Sequence, residues 1–158
     1  MTFRRRRWGD EGMASTTGRC LCGAARYRLS EAPTGFGACH CGMCRRWTGG
    51  IELGVMVAAD AIVWEADETM RTYRSSDWAE RGFCATCGTS LFWRLTAPGP
   101  MQGMLSLGVG TLDDAEGLSF EMELCVDSKP ESYAFAGDRT RMTAAEVAAM
   151  MSDAGGSA

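Results

Sequence analysis

The chain contains very little histidine and no long apolar segment. His40 is the single histidine among 158 residues, so a hydrolytic triad has only one possible base, set inside a group of cysteines. That placement argues against a hydrolase of the serine or cysteine triad type. A membrane-spanning helix needs about 20 consecutive apolar residues, and no stretch of the sequence approaches that length. A membrane span is therefore not predicted.

Positive charge is also scarce. The formal net charge is −4 at pH 7 and the sequence pI is about 5.0. Nucleic acids and anionic membrane surfaces attract proteins with dense positive charge, so neither is a predicted partner. The one cationic run, at residues 4–7, has no apolar segment after it and is neither a secretion signal nor an anchor. Because Met13 offers a second start, residues 1–14 are interpreted as a disordered or mis-assigned leader.

The remaining sequence predicts one mainly β domain over residues 15–151, followed by a flexible tail over residues 152–158. An apolar content of 46% suffices for one core. Short, mostly antiparallel strands separated by glycine-rich turns are predicted at residues 24–29, 53–57, 61–64, 70–73, 90–94, 104–107 and 120–126. Thr143 and Glu146 have the spacing of a capping box and predict a C-terminal helix that runs to Met151.

Eight cysteines in a chain without an export signal favour metal binding in the reducing cytoplasm over disulfides. Cys84 and Cys87, followed by Gly88, have the C-x-x-C-G form of a zinc knuckle. Cys20 and Cys22 supply a second pair. Together the four thiols predict a closed, structural zinc site, because four protein ligands leave no position for a substrate.

A second cluster contains Cys39, Cys41 and Cys44. Three ligands leave one position of a tetrahedral zinc open, which is typical of a catalytic site, although a structural or empty site has the same spacing. His40 lies between two of these cysteines and is expected to point away from the ion, with ligation as the alternative. Cys125 stands alone in a predicted strand and is interpreted as a buried, inert thiol.

Three thiolates on Zn²⁺ give a net charge of about −1, which suits thiol chemistry better than hydrolysis. Arg45, Arg46 and Trp47 follow the cluster directly. The two cations are candidates for binding the carboxylates of a small acidic thiol such as glutathione. The alternative is that both arginines are solvated surface groups.

Three segments resemble the glutathione-dependent formaldehyde-activating (GFA/CENP-V) family: GRCLCGA at residues 18–24, CHCGMCRRWTG at 39–49 and RGFCATCGTSL at 81–91. The similarity extends over about residues 17–141. It implies a β-tent fold of stacked antiparallel sheets and a carbon–sulfur lyase-type activity, the condensation of formaldehyde with glutathione to S-(hydroxymethyl)glutathione. It also implies a structural zinc at the first cluster and a second, glutathione-responsive zinc at the three-cysteine site.

The chain departs from the family at residues 121–125, where similar proteins often carry a histidine and where Glu123 is the nearest substitute. The leading hypothesis is a zinc-dependent enzyme that handles glutathione–aldehyde adducts, with a homodimer left open. The alternative is a non-catalytic, zinc-stabilised binding module with a β-tent fold, which a fourth protein ligand on the second metal, Cys125 or His40, would favour. An iron–sulfur protein is a third interpretation.

Overall fold

The computed structural model describes residues 16–154, with side chains through Met151. This part of the chain forms eleven strands and two α-helices, together with two single-turn 3-10 helices at Val109–Thr111 and Val126–Ser128. The strands and helices are β1 (Thr17–Arg19), β2 (Arg26–Leu29), β3 (Gly35–Cys39), α1 (Gly42–Thr48), β4 (Glu52–Val57), β5 (Ile62–Ala66), β6 (Met70–Arg74), β7 (Ala79–Cys84), β8 (Ser90–Leu95), β9 (Leu105–Gly108), β10 (Ser119–Leu124), β11 (Thr140–Met142) and α2 (Ala144–Ala154). Neither helix of the described chain has the length and apolar character that a membrane crossing requires.

The strands form two sheets. The smaller has the order β1-β2-β5, and the larger has the order β11-β10-β3-β4-β9-β8-β7-β6. Neighbours pair antiparallel except around β10, which runs parallel to both β3 and β11. The mainly β fold with a C-terminal helix is thus confirmed, while two of the strand pairings differ in direction from the expected antiparallel pattern.

The core contains side chains from both sheets. In β2, Tyr27 and Leu29 are buried while the alternating arginines are exposed, the period-2 pattern of a strand with one face in the core. They pack in one cluster with Leu91, Leu105 and Leu107 of the larger sheet. Burying an aliphatic or aromatic side chain of this size stabilises the fold by about 1.5–3 kcal/mol. Apolar burial therefore joins the two sheets.

A buried hydrogen bond reinforces this contact. The hydroxyl groups of Tyr27 and Thr111 are 2.7 Å apart, and burial raises the pKa of Tyr27 to about 12. Gly18 of β1 lies directly over the tyrosine ring, where a Cβ atom would stand 2.3 Å from the ring and 2.6 Å from the carbonyl oxygen of Thr111. Glycine is thus required here for the close approach of β1 to the Tyr27 ring and to the 3-10 turn at Val109–Thr111.

All seven predicted strands are present, with ends displaced by one or two residues. Four further strands, β1, β3, β7 and β11, and the helix α1 were not predicted. The predicted strand end at Val126 is wrong, because β10 stops at Leu124 and Cys125 adopts a left-handed backbone with φ 56°. Its thiol is buried, as expected.

The C-terminal helix begins with the predicted capping box. The backbone N–H of Thr143 donates to Glu146 Oε2 at 2.7 Å, and the N–H of Glu146 donates to Thr143 Oγ1 at 3.3 Å. A carboxylate oxygen of Asp127 also accepts from the N–H of Ala144 at 2.8 Å. These bonds satisfy N–H groups of the first turn, and α2 continues to Ala154, beyond the predicted end at Met151.

We predict that Gly18→Ala lowers the free energy of unfolding by about 1–3 kcal/mol, because the new methyl group overlaps Tyr27 and a backbone oxygen that has little freedom to move. Urea denaturation measures the change. Gly50→Ala is the matched control, since a Cβ atom at Gly50 meets no atom within 4 Å. Equal stability of the two variants would show that the sheets do not approach this closely.

Candidate metal centres

The first candidate centre is formed by four thiols from two distant hairpins. The Sγ atoms of Cys20, Cys22, Cys84 and Cys87 all lie within 4.8 Å of one another. Cys20 and Cys22 lie in the turn between β1 and β2, and Cys87 lies in the turn that follows Cys84 at the end of β7. The structure therefore brings together the four residues that the sequence predicts as one site.

Each cysteine pair is shaped by a tight turn that ends at a glycine. The N–H of Gly23 donates to the carbonyl of Cys20 at 3.0 Å, and the N–H of Gly88 donates to that of Cys84 at 2.8 Å. Both glycines have a left-handed backbone, with φ 76° and 75°, which other residues adopt only with strain. These turns direct both thiols of a pair toward the same point.

Hydrogen-bond donors surround the four sulfur atoms. The N–H of Ala25 donates to Cys20 Sγ at 3.3 Å, and the hydroxyl of Thr89 lies 3.2 Å from Cys87 Sγ. The Thr89 hydroxyl lowers the pKa of Cys87 to about 5, because it stabilises the thiolate. Metal binding requires thiolates, so this hydrogen bond favours the form of Cys87 that binds a cation.

The second candidate centre lies at the junction of β3 and α1. Cys39 ends β3, Cys41 caps α1 by accepting a hydrogen bond from the N–H of Cys44 at 3.4 Å, and Cys44 is buried in the helix. Their three Sγ atoms also lie within 4.8 Å of one another. The predicted three-thiol set is thus brought together as well.

The thiols of this second cluster share their protons unequally. Hydrogen bonds from Cys39 and Cys44 lower the pKa of Cys41 to about 2. The bond to Cys41 raises the pKa of Cys39 to about 12, and bonds to both neighbours raise the pKa of Cys44. The hydrogen bonds among the three sulfurs therefore favour the thiolate form at Cys41. Such a compact group of sulfurs fits a thiophilic cation, whose charge would displace the remaining protons.

Neither suggested fourth ligand belongs to this cluster. Both ring nitrogens of His40 are engaged, Nε2 with Glu123 Oε2 at 2.9 Å and Nδ1 with the Tyr133 hydroxyl at 3.0 Å. Cys125 is outside the group of thiols that lie within 4.8 Å of one another, and its thiol hydrogen-bonds to Cys39 at the edge of that group. Among the described residues, three side chains can thus bind one ion here, and His40 points away from them as expected.

The His40 ring is part of a buried polar network. Glu123 accepts from Arg139 Nη1 at 2.8 Å and from Arg141 Nε at 3.3 Å. The His40, Glu123 and Arg139 side chains are only 0%, 3% and 4% exposed. Burial alone would raise the pKa of Glu123, but bonds from His40 and the two arginines outweigh it and lower that pKa. The network holds the backbone between Cys39 and Cys41 against β10.

Two further charged residues touch the three-thiol cluster. Arg81 of β7 is 3% exposed, and its Nη2 donates to Cys44 Sγ at 3.5 Å. Glu52 opens β4 opposite Cys39, and its burial raises its pKa. Sequence reasoning assigned neither residue to the site. Arg81 belongs to the third segment that resembles the family, and this was the only sequence feature that could have pointed to it. Glu52 reaches the cluster through the pairing of β4 with β3, which no local pattern indicates.

The predicted substrate-binding residues have different surroundings. Arg45 donates from Nε to the carbonyl of His40 at 2.9 Å, so this side chain already ties α1 to the preceding loop. Arg46 is exposed. Trp47 stacks on Tyr73 with ring centroids 6.3 Å apart. Of the two cations, Arg46 therefore has the freer side chain.

The mainly β domain thus carries a four-thiol and a three-thiol cluster, each of which could hold one metal ion. The family model described as glutathione-dependent formaldehyde-activating enzyme matches residues 15–128, and the chain belongs to that family. The resemblance noted in the sequence is thereby confirmed. Residues 129–143, which supply Tyr133 and both arginines of the buried network, lie beyond the matched range.

Two relatives agree with this membership. A protein of Schizosaccharomyces pombe named as an uncharacterized lyase is 31% identical over 138 residues, which cover 85% of this chain and 96% of the relative. A protein of Halomonas elongata, provisionally named a glutathione-dependent formaldehyde-activating enzyme, is 34% identical over 83 residues, 48% of this chain and 53% of the relative.

We predict that Glu123→Gln costs about 3 kcal/mol of unfolding free energy at pH 7, because it leaves Arg139 buried without its carboxylate. A lowered folded-state pKa stabilises the protein above the unfolded value of about 4.3. The difference in unfolding free energy between Glu123→Gln and wild type should therefore become smaller as the pH falls below about 4.3. Urea titrations at several pH values measure it.

The matched control for this prediction is Glu121→Gln, which changes an exposed carboxylate on the same strand. It should leave stability within about 0.5 kcal/mol of wild type. If Glu123→Gln is as stable as this control at pH 7, the charge pairing of Glu123 with the two arginines makes no net contribution to stability.

Proposed function

We propose that the protein is a zinc-dependent enzyme that forms or cleaves glutathione–aldehyde adducts, as an S-(hydroxymethyl)glutathione synthase-like carbon–sulfur lyase. The observation that carries this proposal is the three-thiol cluster, in which three described side chains lie close enough together to hold one ion while both ring nitrogens of His40 are engaged elsewhere. The family membership and the names of the two relatives support it. A purely structural second metal would call for a closing ligand, so the binding-module alternative has less support.

The two clusters have different roles in this proposal. Cys20, Cys22, Cys84 and Cys87 hold a structural zinc that ties two hairpins together. Cys39, Cys41 and Cys44 hold the working zinc. A site rich in thiolates suits zinc among the divalent cations. A zinc ion held by the three-thiol cluster would keep an incoming thiol in its thiolate form at neutral pH.

The reaction needs a new bond and one proton transfer. The glutathione sulfur attacks the carbonyl carbon of the aldehyde, the carbon–sulfur bond forms as the carbonyl π bond breaks, and the oxygen takes up the proton that the thiol lost. Cleavage is the reverse. Arg81 donates a hydrogen bond to Cys44 Sγ. Its guanidinium therefore places a positive charge next to the three-thiol cluster and offsets the negative charge of the thiolates.

The cations of α1 would orient the thiol substrate. Arg46 is exposed on the helix that carries Cys44, and we assign it the first contact with a glutathione carboxylate. Arg45 retains its terminal nitrogens for a second contact while its Nε holds His40, and Trp47 supplies an apolar surface beside them. Eight free cysteines in the described chain suit a reducing cytoplasm.

We predict that Cys41→Ser lowers turnover of glutathione with formaldehyde by at least about 100-fold, because serine replaces one of the three thiols that would hold the metal. The four-cysteine centre and the fold should persist. Adduct formation is followed by NMR, together with zinc content and circular dichroism. Met43→Ser, an exposed position in the same helix, is the control and should retain activity. Full activity of Cys41→Ser would overturn the proposed site.

A further inference from the structure

An open cleft lies beside the three-thiol cluster, outside the thiols themselves. Its volume is about 370 Å³, and its walls come from α1, the start of β4, the start of β8 and the 3-10 turn after β9. Glu52 lines the cleft and is also paired in register with Cys39. Thr89 also lines the cleft, and its hydroxyl contacts Cys87. The cleft therefore has one lining residue next to each candidate metal centre.

The chemistry of the walls is mostly apolar and neutral. The apolar residues of the lining are Trp47, Ile51, Leu53, Leu91 and Phe92, of which Leu91 and Phe92 are buried in the core, and threonine and serine residues complete the walls. Glu52 is the one ionisable side chain that lines the cleft, and none of the lining residues is a lysine or an arginine. A ligand carboxylate placed here would meet no compensating cation and would lose its hydration at a large cost.

The size of the cleft differs from that of formaldehyde. A water molecule occupies about 30 Å³ in the liquid, and formaldehyde has only two non-hydrogen atoms. A volume of about 370 Å³ therefore leaves room for a much larger group beside the thiols. It falls within the range of about 300–1,000 Å³ that is typical of sites for small organic ligands.

We propose that this cleft binds the uncharged side group of a carbonyl substrate larger than formaldehyde, an aryl or branched alkyl group. The group packs against the partly exposed side chains of Trp47, Ile51 and Leu53, while its carbonyl carbon is turned toward the three-thiol cluster. The catalytic part of this inference rests on the proposed function, but binding of the side group does not. The carboxylates of the thiol substrate remain outside the cleft, on the side of Arg46.

Binding is tested on the full-length, zinc-loaded protein with a probe that cannot react. 4-Fluorobenzamide is an uncharged aryl carbonyl compound, and 4-fluorobenzoate has nearly the same shape with a negative charge; ¹⁹F NMR titration measures both. The amide should bind at least tenfold more tightly than the carboxylate. Equal binding of the two probes, or no binding of the amide, would overturn the proposed chemistry of the cleft.

The place of binding is tested by filling the cleft at Gly110. This glycine lines it, and a Cβ atom there meets no atom within 4 Å. Gly110→Leu should raise the dissociation constant of 4-fluorobenzamide at least tenfold. Gly50→Leu makes the same change at an equally open position outside the lining and should bind as wild type does. Equal affinity of the two variants would place the probe elsewhere.

A second variant keeps the test valid if Gly110→Leu fails to fold. Ile51→Ala removes a partly exposed wall residue and should weaken binding of the amide several-fold. Unchanged affinity in a folded Ile51→Ala protein would count against the cleft. Zinc content and circular dichroism establish the fold of each variant.

Turnover separates this inference from the proposed function. With glutathione, the ratio of kcat/KM for benzaldehyde to that for formaldehyde should fall at least tenfold in Gly110→Leu and stay unchanged in Gly50→Leu. Probe binding at the cleft without turnover of any aldehyde would support the binding site and contradict the enzyme. Turnover of formaldehyde with no probe binding and no change in the ratio would support the enzyme and contradict this inference.

Discussion

Four thiols from two hairpins converge on one point, and this constraint fixes how the turns of the two sheets meet. Cys20 and Cys22 belong to the turn between β1 and β2 in the smaller sheet, while Cys84 and Cys87 belong to the turn between β7 and β8 in the larger one. Cys22 and Cys84 are 62 positions apart. Closing a loop of this length costs chain entropy, and shared metal ligation would return that free energy on folding.

Other contacts bring the same two sheets together but could not by themselves set the geometry of the thiols. Apolar burial around Tyr27 is not directional, whereas its hydroxyl bond to Thr111 and the close approach at Gly18 fix distances. The left-handed turns at Gly23 and Gly88 then aim the cysteine pairs. Packing thus brings the hairpins together, and turn geometry makes the four-thiol cluster.

The second cluster depends on a different kind of support. It is built within one short segment, so its three thiols are close in sequence, and the surrounding fold decides its chemistry. Arg81 adds a positive charge, while His40 is held away by Glu123 and Tyr133. Because buried charges are tolerated only when they are paired, the chain beyond β10 must supply the arginines that complete this network.

The sequence was informative where the signal is local. The C-x-x-C-G turn, the alternation in β2 and the capping box at Thr143 each depend on residues within a few positions, and all three features are present. Local patterns missed β3, because its glycines disfavour an isolated strand. In the sheet those glycines are needed, since Gly35 and Gly37 lie beneath the side chains of Glu121 and Met122 of β10.

The charged surroundings of the second cluster were equally inaccessible to local reasoning. His40 and Glu123 are 83 positions apart and meet only because β3 and β10 pair in parallel. Glu52 reaches the site through its register with Cys39, and Arg81 reaches it from a third strand. A spacing motif can identify ligands within one turn, but it contains no information on partners that the sheet order supplies.

The most direct test is the zinc content per chain by elemental analysis, measured for wild type and for a Cys39→Ser/Cys41→Ser/Cys44→Ser variant, with glutathione binding followed by calorimetry on both. The account predicts two zinc ions in wild type and one in the variant, with glutathione binding lost. One zinc in both proteins, or unchanged glutathione binding in the variant, would contradict a working metal at the three-thiol cluster.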